Sequence, residues 1–147
     1  MPAEAFVDTN VLLYAISADP KEAEKARRAK QILMHEDYGV SAQVLQEFFV
    51  NSTRKIKVPL QDREALEFIQ IVSQAPVVPI DLELVLEAVG YKARFQLSYW
   101  DAAIVAAARA LGAKVLYTED LNHGQIYDGV TAENPFRGGR QARRDRR

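Results

Sequence analysis

At 147 residues and 48% hydrophobic content, the chain can bury most of its apolar surface in one core and is too short for two ordinary domains. With no cysteine, a disulfide framework, a thiolate zinc site and a cysteine nucleophile are all excluded, and a reducing intracellular setting is expected. The net charge of -1 conceals an asymmetry, because "RGGRQARRDRR" from Arg137 onward carries +5 and leaves -6 on residues 1–136.

Residues 1–136 are therefore read as one acidic folded domain and residues 137–147 as a basic tail. Ala142 is the tail's lone apolar residue, so disorder is expected there. The start "MPAEAF" has neither a basic stretch nor a long apolar run, and no segment reaches the length of a membrane span. A soluble, cytoplasmic protein without membrane contact is expected.

In chain order, "AFV" reads as a short buried strand and "VLLYAIS" as the start of a helix. "DPKEAEKARRAKQILM" reads as a helix with Asp19 as its cap and Pro20 in its first turn. "YGVSA" is a brief extended piece. Ser41 then caps a helix through "QVLQEFFVNSTRK", with Val44, Leu45, Phe48 and Phe49 on its buried stripe and Gln43, Glu47 and Asn51 four apart on a polar one. Residues 62–73 form another helix, whose Leu66, Phe68, Ile69, Ile71 and Val72 exceed one stripe and suit a deep core or an interface. "VVPI" at 77–80 is a strand, Asp81 to about Phe95 a helix, "WDAAIVAAARALG" an Ala-rich helix ended by Gly112, "KVLYT" a strand and "VTAENPF" a last edge strand. Strands alternating with helices predict a three-layer α/β sandwich, with a central parallel sheet of about four or five strands flanked by helices.

Ligands in such sheets bind beyond the carboxyl ends of the strands, near the point where strand order reverses. Asp8 follows the first strand and Asp120 follows "KVLYT". Asp101 opens the Ala-rich helix, and Glu47 sits among bulky apolar neighbours. Each has a plain structural reading: Asp8 as a helix cap, Asp101 in a capping box "SYWD" with Ser98, Asp120 starting an Asx turn, Glu47 facing solvent. Taken together, four converging acids with no basic residue close in sequence to Asp8, Asp101 or Asp120 call for a divalent cation, and oxygen ligands favour Mg²⁺ or Mn²⁺ over zinc.

In order and setting, "FVDTNVLLYA", "SAQVLQEFF", "SYWDAAIVAAA" and "VLYTEDLNHGQ" resemble the motifs of the PIN-domain nucleases, specifically the VapC-type toxins of toxin-antitoxin pairs, over residues 4 to about 136. The resemblance implies a PIN-like sandwich, a Mg²⁺ or Mn²⁺ site, endoribonuclease activity, a cognate antitoxin protein and a homodimer. By position it makes Asp8, Glu47, Asp101 and Asp120 the acidic quartet, Thr118 the small hydroxyl residue and Asn10 the polar residue after the first Asp. Asp8 and Asp101 are then the most direct metal ligands. Glu47 and Asp120 bind a second ion, hold waters or orient the nucleophile, while Asn10 and Thr118 fix carboxylate orientation from behind.

An acidic cleft repels phosphate, so RNA contacts must come from elsewhere. Candidates are Arg27, Arg28 and Lys30 in "KARRAK", Arg54 and Lys55 in "RKIK", and Arg140, Arg143 and Arg144 in the tail. Tyr99 and Trp100 are candidates for base stacking, against a plainer role in the core. The alternatives are a non-catalytic α/β module whose acids hold a metal or a partner, and a PIN nuclease that processes RNA without an antitoxin. A metal-independent ribonuclease would need His35 and His123 brought together.

Overall fold

The computed structural model describes residues 2–137. Its elements run β1 (Ala5–Val7), α1 (Thr9–Ala15), a 3₁₀ turn (Pro20–Glu22), α2 (Ala23–His35), β2 (Tyr38–Ser41), α3 (Ala42–Arg54), α4 (Asp62–Val72), β3 (Val77–Val78), α5 (Leu82–Phe95), α6 (Tyr99–Leu111), β4 (Val115–Tyr117), β5 (Ile126–Tyr127) and β6 (Val130–Glu133). Of the disordered tail expected over residues 137–147, all but Arg137 lies outside the described residues, Arg140, Arg143 and Arg144 included.

Local chemistry accounts for most element starts. Ser41, Asp81 and Ser98 accept from the N–H groups of Val44, Leu84 and Asp101 and so cap α3, α5 and α6. Asp19 does cap, but it accepts from Lys21 N–H and starts the 3₁₀ turn. The helix expected over 19–34 is thus that turn followed by α2.

The six strands form one sheet in the order β3-β2-β1-β4-β6-β5, parallel except for β5 against β6. β6 pairs with β4 on one side and β5 on the other, so the strand expected at the edge is internal. The edge is β5, which turns back at Asp128 (φ 50°) and Gly129 (φ 88°), a two-residue hairpin with both residues left-handed. "YDGV" carried that hairpin signal in the sequence.

From β1 to β2 to β3 the chain steps outward in one direction, then returns across the sheet to β4. Right-handed crossovers therefore put α1–α4 on one face and α5–α6 on the other. The packing agrees: α1 lies against α2 and α3, α3 against α4, and α5 along α6, which itself spans β1–β4 and β6. The core between these layers is built from Phe6, Val7, Leu12, Val40, Phe48, Val105 and Leu116 among others. Gly39 is required where α6 crosses β2, since a Cβ there would stand 2.7 Å from a Leu111 methyl and 3.0 Å from the Pro76 carbonyl. On α4, Val72 is buried, Phe68 and Ile69 pack against the core, and Leu66 and Ile71 face outward. The reversal of strand order falls between β1 and β4, where a ligand site is expected.

Candidate active site

Asp8 follows directly on β1 and starts α1. Its N–H bonds to the Tyr117 carbonyl of β4 at 3.0 Å, which ties the two strand ends together. Its Oδ1 accepts from Thr9 N–H at 2.7 Å and its Oδ2 from the Thr118 hydroxyl at 2.8 Å. It is a cap, but of the first helical N–H and not of the second or third, where a capping side chain ordinarily bonds. At 4% exposure its burial is the larger fact. Burial pushes the Asp8 carboxyl up to about 7, the bonds from Thr118 and Thr9 N–H hold it back, and the charges of Asp120 and Glu47 add to the rise.

Thr118 is fully buried just past β4. While its hydroxyl donates to Asp8 it accepts from Asp120 N–H at 3.1 Å, so one hydroxyl fixes a carboxylate of the first strand end and the backbone of the second. The Asp120 carboxylate is exposed at the cleft mouth and accepts from Asn10 Nδ2 at 3.2 Å. Desolvation raises its pKa, Asn10 opposes this, and the charges of Glu119 and Glu47 add to it. Asn10 and Thr118 thus each donate to one of these acids, Asn10 to Asp120 and Thr118 to Asp8.

Glu47 reaches the site from α3. Gln43, one turn earlier and 7% exposed, donates from Nε2 to Glu47 Oε1 at 2.7 Å and to the Trp100 carbonyl at 3.2 Å. The Thr9 hydroxyl donates to Glu47 Oε2 at 3.0 Å. Gln43, on the polar stripe expected of Gln43, Glu47 and Asn51, is thus a buried strut between α3 and α6. Neither Gln43 nor Thr9 was marked as a site residue. Their signal was polarity beside an acid on an otherwise apolar face.

Asp101 lies in the first turn of α6, its N–H capped by Ser98 Oγ at 3.1 Å. Desolvation raises its pKa, followed by the charge of Asp120, against the Ser98 hydroxyl, with Glu47 adding to the rise. The four acids thus share one electrostatic neighbourhood. Desolvation is the largest cause of the shifts on Asp8, Asp101 and Asp120; carboxylates, hydroxyls and amides supply the rest, and no lysine or arginine among the described residues contributes.

The donor set is all oxygen, which suits Mg²⁺ or Mn²⁺. Asn10 Oδ1 is, among the described residues, the buried side-chain polar atom without a partner, and it lies beside Asp120. Among those residues no group of three or more His, Asp or Glu is already arranged to hold a metal ion. Both oxygens of Asp8 and both of Glu47 accept from hydroxyl, amide or backbone donors. The residues fit the ion chemically: each of these carboxylate oxygens keeps a second lone pair for an ion while its donor fixes its orientation.

Other candidates fall outside this constellation. Arg27 and Lys30 are exposed on α2, while Arg28 is half-buried and donates from Nε to the Pro135 carbonyl at 3.4 Å. Arg54 and Lys55 are exposed at the end of α3. A cavity of about 220 Å³ runs from Asn10 and Glu119 along α1 to Ile56, Lys57 and Val58, and none of the four acids lines it. Trp100 is 65% exposed, so the core role weighed for it does not apply. His35 ends α2 ahead of β2, at the amino end of the sheet. His123 lies past β4 at the carboxyl end and accepts from Asn134 N–H. The two histidines do not form a pair.

A family model described as the PIN domain matches residues 5–129. No curated protein matches the chain significantly in sequence. Among solved structures, a toxin-antitoxin complex from Klebsiella pneumoniae superposes with a TM-score of 0.67 at 20% identity, over 90% of this chain and 98% of that one. The sarcin-ricin loop cleaving toxin VapC20 of Mycobacterium tuberculosis gives 0.62 at 22% identity, over 79% and 89%. DNA-bound VapBC from Salmonella typhimurium gives 0.61 at 18% identity, over 89% and 97%. At these identities the likeness is one of fold. Among the described residues no helix is long and apolar enough to cross a membrane.

Proposed function

Because this chain belongs to the PIN-domain family, we propose that residues 1–136 form a Mg²⁺- or Mn²⁺-dependent endoribonuclease and that the protein is the toxin half of a toxin-antitoxin pair, working as a homodimer in the cytoplasm. The observation that supports this best is the meeting of Asp8, Glu47, Asp101 and Asp120 at the carboxyl ends of β1 and β4, where among the described residues no cation offsets the raised pKa values of Asp8, Asp101 and Asp120. The similar structures described as a toxin-antitoxin complex and as a sarcin-ricin loop cleaving toxin support the reading of a nuclease with an antitoxin partner.

Asp8 and Asp101 are the proposed direct ligands, with Glu47 and Asp120 completing the site. A bound divalent ion would supply positive charge for the phosphate oxygens and acidify water. The chain's own groups do the positioning. Thr118 fixes Asp8 against the Asp120 backbone, Asn10 holds the Asp120 carboxylate, and Gln43 with Thr9 holds both oxygens of Glu47. Phosphate contacts are assigned to exposed cations outside the acidic cleft, with Arg27, Lys30, Arg54 and Lys55 as the described candidates.

Cleavage of single-stranded RNA should stop in EDTA and return with excess Mg²⁺ or Mn²⁺. Undiminished cleavage in the chelator would refute the metal-dependent mechanism. One observation favours a second reading, a non-catalytic binding module: the acids are not already arranged as a metal-holding group. Under that reading, growth arrest on expression would survive replacement of Asp8 and Asp101 together.

A further inference from the structure

Helix α1 and the turn after it set Asn10, Leu13, Tyr14 and Ser17 along one wall of the cavity of about 220 Å³. Ile56 and Val58, between α3 and α4, add apolar surface to its lining. The cavity borders the four acids, because Asn10 lines it while its Nδ2 holds Asp120, and Glu119 precedes Asp120 in the chain. From Asn10 to Ser17 it follows the chain for about 10 Å, and its far end is polar, with Ser17, Asp19 and Glu22. A cavity of roughly 150 Å³ accepts a benzene ring, so this one has room for a two-ring base and none for a helix.

A cation is fixed beside the end nearer the acids. Lys25 Nζ donates to the Tyr14 hydroxyl at 3.1 Å and to Glu119 Oε2 at 3.3 Å, and lies over the Tyr14 ring, 4.8 Å from its centroid. An ammonium has three N–H donors, and this side chain is 43% exposed, so one donor remains for a ligand. At the far end Asp19 is engaged: it accepts from Lys21 N–H and lies 4.0 Å from Lys57. Glu22 is held in place by the Ser17 hydroxyl on Oε1 at 2.6 Å and keeps acceptor capacity on both oxygens.

We propose that this cavity is a guanine subsite for RNA: the base lies along α1 with its N1–H and its amino group on Glu22, and the phosphate of the same nucleotide lies on Lys25. A carboxylate accepts and cannot donate, so it pairs best with an edge that presents two N–H groups side by side. Guanine has that edge. Adenine and cytosine set a ring-nitrogen acceptor beside their amino group, and uracil flanks its N–H with carbonyls. An arginine side chain also offers parallel N–H groups, but Lys25 repels it and attracts a phosphate. The inference rests on the nuclease reading above and names a base that the nuclease selects.

The test titrates GMP, IMP and UMP into the full chain in EDTA and follows backbone amide shifts by NMR. GMP should move the amides of Ser17, Glu22 and Val58 and saturate at about ten-fold lower concentration than UMP or IMP, which lacks the amino group. Glu22→Gln should bring GMP and IMP within about two-fold of each other, whereas Lys25→Gln should weaken all three about three-fold and leave the preference intact. Val58→Trp, which fills the cavity from an exposed position, should also abolish the preference and keeps the test decisive if Glu22→Gln fails to fold. GMP that moves only other amides, that binds no better than IMP, or that binds more weakly than arginine amide overturns the subsite. Mapping the ends left from random-sequence RNA in Mg²⁺ separates the two readings. A guanine at one fixed position beside the cut, lost in Glu22→Gln, supports the subsite. Cutting with no such guanine overturns it and leaves the nuclease standing, while RNA left uncut overturns both.

Discussion

Two groups of carboxylates sit on opposite margins of the same sheet and are treated in opposite ways. Asp128, at the hairpin between β5 and β6, accepts from the Tyr91 hydroxyl at 2.6 Å, lies 2.7 Å from Arg109 and 3.7 Å from Arg94, and has its pKa lowered, first by the tyrosine bond and then by the two arginines. Asp8, Asp101 and Asp120 have their pKa values raised, first by desolvation and then by nearby carboxylates: Asp120 and Glu47 for Asp8 and Asp101, Glu119 and Glu47 for Asp120. Asp128 is a latch, an acid whose every neighbour favours its charge. The other set is kept at a cost to the fold, and such a set is maintained where a cation or a reaction needs it.

Replacing Asp8 with Asn is the strongest way to break the contrast, since it keeps the shape and removes a charge and a proposed ligand. RNA cleavage should fall about a thousand-fold. The melting temperature in EDTA should hold or rise, because a desolvated acid has been removed. Intact cleavage by a folded Asp8→Asn protein would return Asp8 to the status of a cap.

The second effect is one of pH. Because the folded Asp8 pKa of about 7 lies above the unfolded value near 3.8, the folded chain binds more protons between them, so stability in EDTA falls as pH rises through that window. The gap is worth on the order of 4 kcal/mol, less whatever relaxation of the site recovers. Saturating Mg²⁺ should offset the loss at pH 7, since the ion binds the folded carboxylates. Urea melts at pH 4.5, 6 and 7.5 on wild type and Asp8→Asn measure it, and a wild-type profile as flat as the variant's would remove Asp8 as the source.

A third effect concerns the groups that hold Glu47. Thr9→Val is close in shape at a buried position and deletes only the hydroxyl that donates to Glu47 Oε2. Cleavage should drop about ten-fold with Tm little changed. A loss confined to KM would place Thr9 in RNA binding instead.

Asp8, Asp101 and Asp120 were legible as candidates because they stand after β1, at the start of α6 and after β4, ends that the alternation of strands and helices brings together, whereas Glu47 stood out as an acid among apolar neighbours in the middle of α3. Ser41 and Ser98 announced α3 and α6 by the same local chemistry that caps them. Thr9 and Gln43 were not legible. A threonine before an asparagine reads as a turn, and only the fold brings Glu47, 38 positions away, to its hydroxyl. Gln43 shares a helical stripe with Glu47 in sequence, but its burial depends on α6 lying over it with the Trp100 carbonyl as acceptor. The "DG" turn was a local signal overlooked, and through it β6 was placed at the edge when it lies inside.

The smallest expected effect is at the latch. Asp128 has φ 50°, a left-handed conformation that Asn adopts about as readily as Asp, so Asp128→Asn keeps the turn and removes only the charge. Its folded pKa is lowered, so its contribution is present above the unfolded value near 4 and is lost as pH falls below it. The variant should therefore melt slightly lower than wild type at pH 7, and the two curves should converge by pH 3. That is the opposite pH sense to Asp8, whose penalty grows as pH rises. Cleavage should be untouched, because Arg109 and Tyr91 hold the β5–β6 hairpin and lie away from the four acids. A cleavage defect in Asp128→Asn as deep as that of Asp8→Asn would show that the two margins are coupled, and the division between latch and site would have to be redrawn.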